Sequence, residues 1–593
     1  MKIRTVLLLA LISGNVFAEE VSKPLLEYVP DMTSPAIRQR VERFLTEYLD
    51  TPKHSPEYRQ AVGEVFLRQL YFCDDTAKPE RTLIHDVKMV NGEKTISLFR
   101  RGRQESFSIE DDNRYFEDAM TFRDKSVIAL NWRVESEDYE GSMWSTGYPG
   151  VSDALMETLA KITTLERLDL CNSWITDKGL VKLAPLTQLK SLQFSEINPL
   201  SGISPRFSFA VFDSLHGWVN LEELLLASVR QTGADSASLF RALPNYPKLR
   251  KFSALGLELN RKNMEALTSC DKLESLDISG TLTEPCLDLL GKLKSLQTLR
   301  LHLRTNGHAV ELPPLPALTE LFLTVTDADQ QSIVISKQPI LAEINLSPYA
   351  KHHQLVLTDL PELTHIAIFE REILSMEARF ENLPKVTRLQ WHRYTGNPYE
   401  QDVDGVVIKR DGQQRDKLRF SQNLLDAVLS LPALVSLEIP CPLEEGVDLD
   451  KLSAHPALKT LELHYVDLSH SSFRFAQNLG NMRLVECRVP DDIFLEDVLA
   501  LTHLNITAAD GTGKNVTVKN APFLEHFTFT TGYRSPKHQL ESLVFEGCPE
   551  LWWFYVDGDG AKLRLLDLRG TKSPRYMRFF ACATNADTEI LFD

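Results

Sequence analysis

The sequence is short of cationic side chains: 65 lysines and arginines stand against 82 aspartates and glutamates, leaving a formal net charge of −17. An acidic surface repels phosphate backbones, so nucleic acid is a poor partner. Catalytic signatures are missing as well. There is no H-E-x-x-H, no G-x-S-x-G and no glycine-rich phosphate loop. The Asp557–Gly560 stretch "DGDG" lacks the remaining ligands of a calcium loop and reads as a turn. The eight cysteines, Cys73, Cys171, Cys270, Cys286, Cys441, Cys487, Cys548 and Cys582, are spread thinly. No pair has the close spacing of a zinc knuckle or redox motif, so separate buried thiols are expected, with no metal and no cofactor.

Long apolar runs are also absent, with one exception. Lys2 and Arg4 precede the apolar stretch Val6–Ile12, and small Ala18 ends "NVFA". This pattern reads as a secretory signal peptide over residues 1–18, too short to span a bilayer. The expected destination is periplasmic or extracellular, with no stable membrane insertion, and the short leader suits a Gram-negative bacterium. Cleavage removes two cations and takes the net charge to −19.

What the chain has in abundance is one pattern. In "LERLDL" Leu165, Leu168 and Leu170 stand at offsets 0, 3 and 5, neither a helical period nor a long alternation. The spacing returns in "LKSLQF" at Leu189, "LEELLL" at Leu221, "LESLDI" at Leu273, "LQTLRL" at Leu296, "LTELFL" at Leu318, "LAEINL" at Leu341 and "LTHIAI" at Leu363. It continues from Val386, Leu434, Leu458, Leu479, Leu501 and Leu524. From Leu273 to Val386 the starts lie 23, 22, 23, 22 and 23 residues apart; from Leu434 to Leu524 they lie 24, 21, 22 and 23 apart. A fixed period in the twenties signals a solenoid. Offsets 3 and 5 place two side chains on the inner face of a short strand, and offset 0 fills the space beneath its start. One unit cannot bury its own apolar face, so stacked units share a core. After the first strand, Ile175, Leu180, Leu183 and Leu186 supply a return path, with Thr176-Asp177 as a helix cap; Thr281–Leu293 repeats that logic.

From about Val127 to Arg569, three quarters of the chain, the sequence resembles the leucine-rich-repeat family, with "ITDKGL" similar to the bacterial and cysteine-containing subclasses. The resemblance implies an α/β solenoid: a curved array with a parallel β-sheet on its concave face. The family's Asn or Cys at offset 8 is replaced by Ser173, Thr281 and Thr326, although Cys487 and Cys548 keep it. The backbone there needs other partners, and the two cysteines fit as small buried turn residues.

Residues 19–123 read as an N-terminal α+β cap: a helix over Ser34–Leu49, a second over Glu57–Phe72, and a β-hairpin in which "HDVKMV" and "KTISLF" flank "NGE". The repeats then occupy 124–569, with Val127 and Leu130 in the first strand and a C-terminal cap at 570–593. Insertions interrupt the period near 197–217 and 393–419. The 48 residues between Val386 and Leu434 leave room for a degenerate repeat. Near the end the starts crowd, at Leu524, Leu540, Leu551 and Leu563, and leave space for strand and tight loop only.

If the sheet lines the inner curve, offsets 2, 4 and 6 meet solvent. In the strands from Leu296 to Val386 these columns hold Arg300, His302, Phe322, His365, Phe369, Arg388, Gln390 and His392; later they hold Trp553 and Tyr555. Exposed aromatics beside arginine are the anchors protein interfaces use. Six of the fifteen histidines, His302, His365, His392, His464, His503 and His526, fall in the same columns, where they can make binding pH-sensitive. Eighteen or so strands at about 4.8 Å spacing give an arc on the order of 80 Å, suited to a protein, host or bacterial, or a long polymer. The reading is thus an exported, non-catalytic binding protein. Its alternatives are an enzyme, a hydrolase or transferase with its site in the N-terminal region or the 393–419 insertion, and a structural envelope protein.

Overall fold

The computed structural model describes residues 35–50, 52–71, 84–101, 114–131, 153–170, 175–194, 207–226, 236–326, 330–348, 352–370, 375–393, 399–401, 407–409, 419–439, 441–509, 512–531, 540–557, 562–572, 575–580 and 583–591. The expected leader and most of the 393–419 insertion lie outside them. The chain divides into two compact units, residues 1–258 with 262–279, and residues 259–261 with 280–593.

The first unit opens with two helices, α1 (Pro35–Tyr48) and α2 (Pro56–Tyr71). Val41, Phe44, Leu45 and Tyr48 are buried on α1, and Val62, Val65 and Phe66 are buried on α2. Phe44 stacks on Phe66 with ring centroids 3.6 Å apart. The helices meet at Gly63, where an added Cβ would stand 3.0 Å from Val41 Cγ1. The hairpin follows: β1 (Ile84–Val90) and β2 (Glu93–Arg101) pair antiparallel, joined by Asn91 and Gly92 at φ 51° and 80°. Positive φ at both turn residues matches the strand twist, which is why Asn-Gly closes it. Strands β3 (Arg114–Arg123) and β4 (Ser126–Asn131) extend the sheet antiparallel.

At β4 the pairing changes. Leu130 aligns in parallel with Leu168, Leu168 with Leu192, Leu192 with Leu224 and Leu224 with Phe252. The return paths here are helical: Asp153–Leu159, Asp177–Leu180 running into Val181–Leu183, Phe209–Ser214 and Ser236–Ala242. Thr176 caps its helix, its hydroxyl accepting from Lys178 N. The second half of the first insertion is core, since Phe207, Phe209 and Phe212 are buried.

The second unit iterates the same strand from Thr298–Arg304 to Tyr576–Phe580. Leu299, Leu321, Ile344, Ile366, Leu389 and Leu437 align in parallel register. The residues at offsets 0, 3 and 5 from Leu296 through Leu524 are all 0–2% exposed, so the spacing is a core signal throughout. Arg388–Arg393 pairs directly with Ser436–Ile439, so the 48-residue interval contributes no further strand to this sheet.

The return path differs from the helical expectation. It is a short 3-10 helix at Leu287–Lys292, then strands: Val310–Leu312, Gln330–Ser336, His352–Thr358 and Ser375–Glu381 form a second parallel sheet. Their buried side chains alternate, as in Val310 and Leu312, Ile333 and Ile335, and Leu355 and Leu357, which suits strand pairing. After the helix Gln422–Leu429, strands resume at Asp492–Glu496 and build another parallel sheet through Asn515–Lys519, Ser542–Glu546, Lys562–Asp567 and Ala583–Leu591. This explains the crowded late starts: Leu540 precedes a strand of this return sheet and Leu563 lies within the next, whereas Leu524 and Leu551 precede strands of the major one.

The thinned asparagine ladder has substitutes. Thr326 Oγ1 donates to Leu303 O at 3.3 Å, and the Cys487 thiol to Leu463 O at 3.2 Å. On the return side Lys337, Asp359 and Asn382 sit in successive left-handed turns, and Asn382 Nδ2 donates to Asp359 Oδ1 at 2.7 Å. Asp497 and Asn520 repeat that bond at 3.0 Å. Asn and Asp tolerate positive φ and bond locally, which suits such corners.

Candidate binding surface

Strand alternation turns the side chains between the buried leucines outward, and parallel register stacks them into columns about 4.8 Å apart. All ten sequence-selected residues lie on the second unit's major sheet. In one column Arg300 is in register with Phe322, and its guanidinium lies 4.5 Å from the Phe322 ring centroid. The ring is thus half-buried under a cation rather than bare. In the adjoining column Glu320, Glu343, His365 and Arg388 are in register. Asn345 Nδ2 donates to Glu343 Oε1 at 2.7 Å, and His365 Nδ1 stands 4.0 Å from that oxygen. The other ring nitrogen, Nε2, lies 3.0 Å from Gln390 Oε1, so it is the protonated one. His365 and Gln390, chosen separately, therefore act as a pair, and Glu343 and Asn345 join them. Glu343 could have been found at the same offset as His365. His302 is half-buried in register with Thr324, and Phe369 is half-buried in register with His392. Of His392 the backbone alone is described.

Along the same sheet His464 Nε2 lies 2.8 Å from Glu462 Oε1 and 3.7 Å from Glu438, and Arg483 reaches the same Glu462 oxygen at 2.9 Å. Beyond it, Asn481, His503, His526, Trp553 and Tyr576 share one column. His503 stacks on His526 with centroids 4.3 Å apart, and Trp553 on Tyr576 at 3.9 Å. Trp552, 40% exposed, meets His526 and Trp553 edge-to-face. The neighbouring column carries Arg483, Asn505, Thr528, Tyr555 and Arg578. Between them runs a groove of about 310 Å³ lined by Asn481, Arg483, His503, Leu504, Asn505, His526 and Thr528. Burial and the charge of His503 push the His526 pKa below its ordinary value, partly countered by Glu525. The sequence pointed to Trp553 and Tyr555 but not to Trp552 or Tyr576. Trp552 sits at offset 1, outside the outward columns, and the strand carrying Tyr576 lacks the repeat spacing.

Other features are structural. Cys270, Cys286, Cys487 and Cys548 are free and buried, and Cys441 is buried. Burial pushes the Cys487 thiol up to about 12 and Cys548 up to about 11, so both stay protonated. A wider groove of about 810 Å³ follows prolines at the repeat corners, among them Pro316, Pro339, Pro361 and Pro384, each two residues before a repeat start. Among the described residues no group of three His, Cys, Asp or Glu side chains is placed to hold a metal ion. No described helix is long and apolar enough to cross a membrane.

A spacing buried at every repeat, with parallel strands in one register, defines a solenoid class of protein. The unit length and the turn residues then fix which: the chain has the leucine-rich-repeat fold. No family model and no curated protein matches it in sequence. Among solved structures it is similar to an internalin of Listeria monocytogenes, 14% identical over 55% of this chain and 82% of the other, with a TM-score of 0.33. A leucine-rich-repeat protein of Leptospira interrogans is 14% identical over 70% and 87%, with a TM-score of 0.35. A Listeria monocytogenes domain that includes a cysteine ladder is 17% identical over 62% and 76%, with a TM-score of 0.31. The assignment rests on the repeat itself and not on these superpositions.

Proposed function

We propose that this chain is an exported, non-catalytic binding protein that holds another protein, of host or bacterial origin, against the exposed face of its major sheet. Arg300, His302, Phe322, His365, Phe369, Arg388, Gln390 and His392 form the central contact; Trp553 and Tyr555 form a second patch farther along the sheet. Export rests on residues 1–18, and residues 19–123 close the N-terminal end of the array. The observation that carries the reading is the central set of columns. Five adjacent strands offer guanidinium, imidazole, amide and aromatic groups on one face, while every alternate residue is locked in the core. A surface held by backbone register loses little freedom on association, so more of its contact energy appears as affinity. Aromatic and arginine anchors are the side chains on which such affinity concentrates.

The test is a pull-down from host and bacterial extracts with the mature chain beside a folded Phe322→Ala, Phe369→Ala, His392→Ala variant. A partner retained by the wild type and lost by the variant supports the reading. A partner held equally by both places recognition elsewhere, and no partner at all contradicts it.

A further inference from the structure

The groove on the later repeats differs in chemistry from the central face. Six of its seven lining residues are polar, and Leu504, the exception, is 1% exposed. It therefore has no apolar pocket for a peptide side chain. Nor does it offer backbone to an added strand, because the strands around it pair in register on both sides. What it offers is side-chain hydrogen bonding of both signs. Thr502 Oγ1 donates to Gly480 O at 2.8 Å, so it accepts from His503 Nδ1 at 2.9 Å. With Nδ1 bearing that proton, the uncharged form of His503 presents Nε2 as an acceptor. Among the described residues the half-buried Asn505 amide and Thr528 hydroxyl make no hydrogen bond. An amide and a hydroxyl each donate and accept, so a ligand can take the place of solvent on both.

The local charge is small. Arg483 is held by Glu462 at 2.9 Å, and the lowered His526 pKa keeps that ring uncharged at neutral pH. An uncharged, polyhydroxylated ligand fits this set, since each hydroxyl is both donor and acceptor. The rim supplies what the apolar face of a sugar ring requires: Trp552 is 40% exposed, and the Trp553–Tyr576 stack continues the column. The polar groups recur at the strand spacing, about 4.8 Å, comparable with the length of one hexose unit.

We propose that the groove between Asn481 and Thr528, with the Trp552–Tyr576 aromatic rim, is a binding site for a neutral oligosaccharide chain. The site is separate from the central protein-binding face and does not depend on it, but it shares Trp553 with the second patch. The sugar lies across the strands, its hydroxyls meeting Asn505, Thr528 and His503 Nε2, with one pyranose face on Trp552.

The experiment is calorimetric titration of the mature chain with short neutral glucan, mannan and N-acetylglucosamine oligosaccharides, beside a panel of short peptides. The expected result is saturable binding of at least one sugar. It weakens about tenfold or more in Asn505→Ala, the order expected when a hydrogen-bonded partner group is removed. It weakens also in Trp552→Ala, whose exposed side chain can be removed without opening the core. Phe322→Ala binds the sugar like the wild type, which separates this site from the central face. Thermal melts confirm that each variant is folded. Absence of sugar binding, sugar binding unchanged in both groove variants, or peptide binding lost in Asn505→Ala overturns the proposal.

Discussion

Arg300 and Phe322 illustrate how single residues on this surface can pair without carrying the fold. Their contact at 4.5 Å is half exposed, and cation–π pairs at such sites are worth about 0.5–1 kcal/mol. A double-mutant cycle of Arg300→Ala and Phe322→Ala should return a coupling energy of that size in denaturant unfolding. The folded chain should survive both changes, since Leu321 and Leu323 beside Phe322 remain buried. His526 makes a second residue-scale prediction. Its pKa is lowered in the folded chain by burial and His503, against the opposing pull of Glu525. Above about pH 6.5 both folded and unfolded rings are neutral, and the group has no effect on stability. As the pH falls below that value, the unfolded chain takes up the proton first, and stability is lost down through the folded pKa. Between pH 7 and about pH 5 the melting temperature of His526→Gln should therefore fall less than that of the wild type. At this scale the sequence was informative wherever the strand alternation applied: Arg300, Phe322, His365 and Trp553 were placed by counting from a leucine. It could not show that Arg300 covers Phe322, or that His365 bonds Gln390, because those contacts join side chains 22 and 25 residues apart.

At the scale of elements, the outward and return halves of each repeat obey different rules. The outward strand keeps offsets 0, 3 and 5 because parallel stacking demands the same inward side chains at every level. The return path answers only to length and local propensity. It is helical in the first unit, strand between Val310 and Glu381, helical again at Gln422–Leu429, and strand from Asp492. This is why the strand positions were legible and the return elements only partly so. Thr176 and its helix were recognisable from a cap next to Leu180 and Leu183, whereas Val310, Ile333, Leu355 and Ala378 of the return strands stack in register but open alternations too short to read as strands. Gly179 gives the sharpest test of helix packing. A Cβ there would stand 2.9 Å from the Asp153 Cα, and Asp153 also accepts from Thr176 N at 2.8 Å. Gly179→Ala should destabilise the chain by about 1–3 kcal/mol through overpacking, while exposed Lys178→Ala stays within about 0.5 kcal/mol. Equal effects of the two in urea unfolding would show that this approach is looser than the structure places it.

At the scale of the whole molecule, an acidic chain is built as a repeat array whose described thiols lie inside. Cys270, Cys286, Cys441, Cys487 and Cys548 are buried, and burial raises four of the five thiol pKa values, to about 11 or 12. In the native chain these five should resist alkylation at neutral pH and all react after denaturation, as mapped by mass spectrometry. Labelling of Cys487 or Cys548 in the folded chain would contradict their role as corner residues. The central claim, however, concerns the face. The most direct measurement is site-specific photo-crosslinking in the native setting, with a photoreactive residue placed at Phe322 in one variant and at Gln354, exposed on the return sheet, in another. The account predicts a protein adduct from position 322 and none from position 354. An adduct from position 354 alone, or from neither, would contradict it.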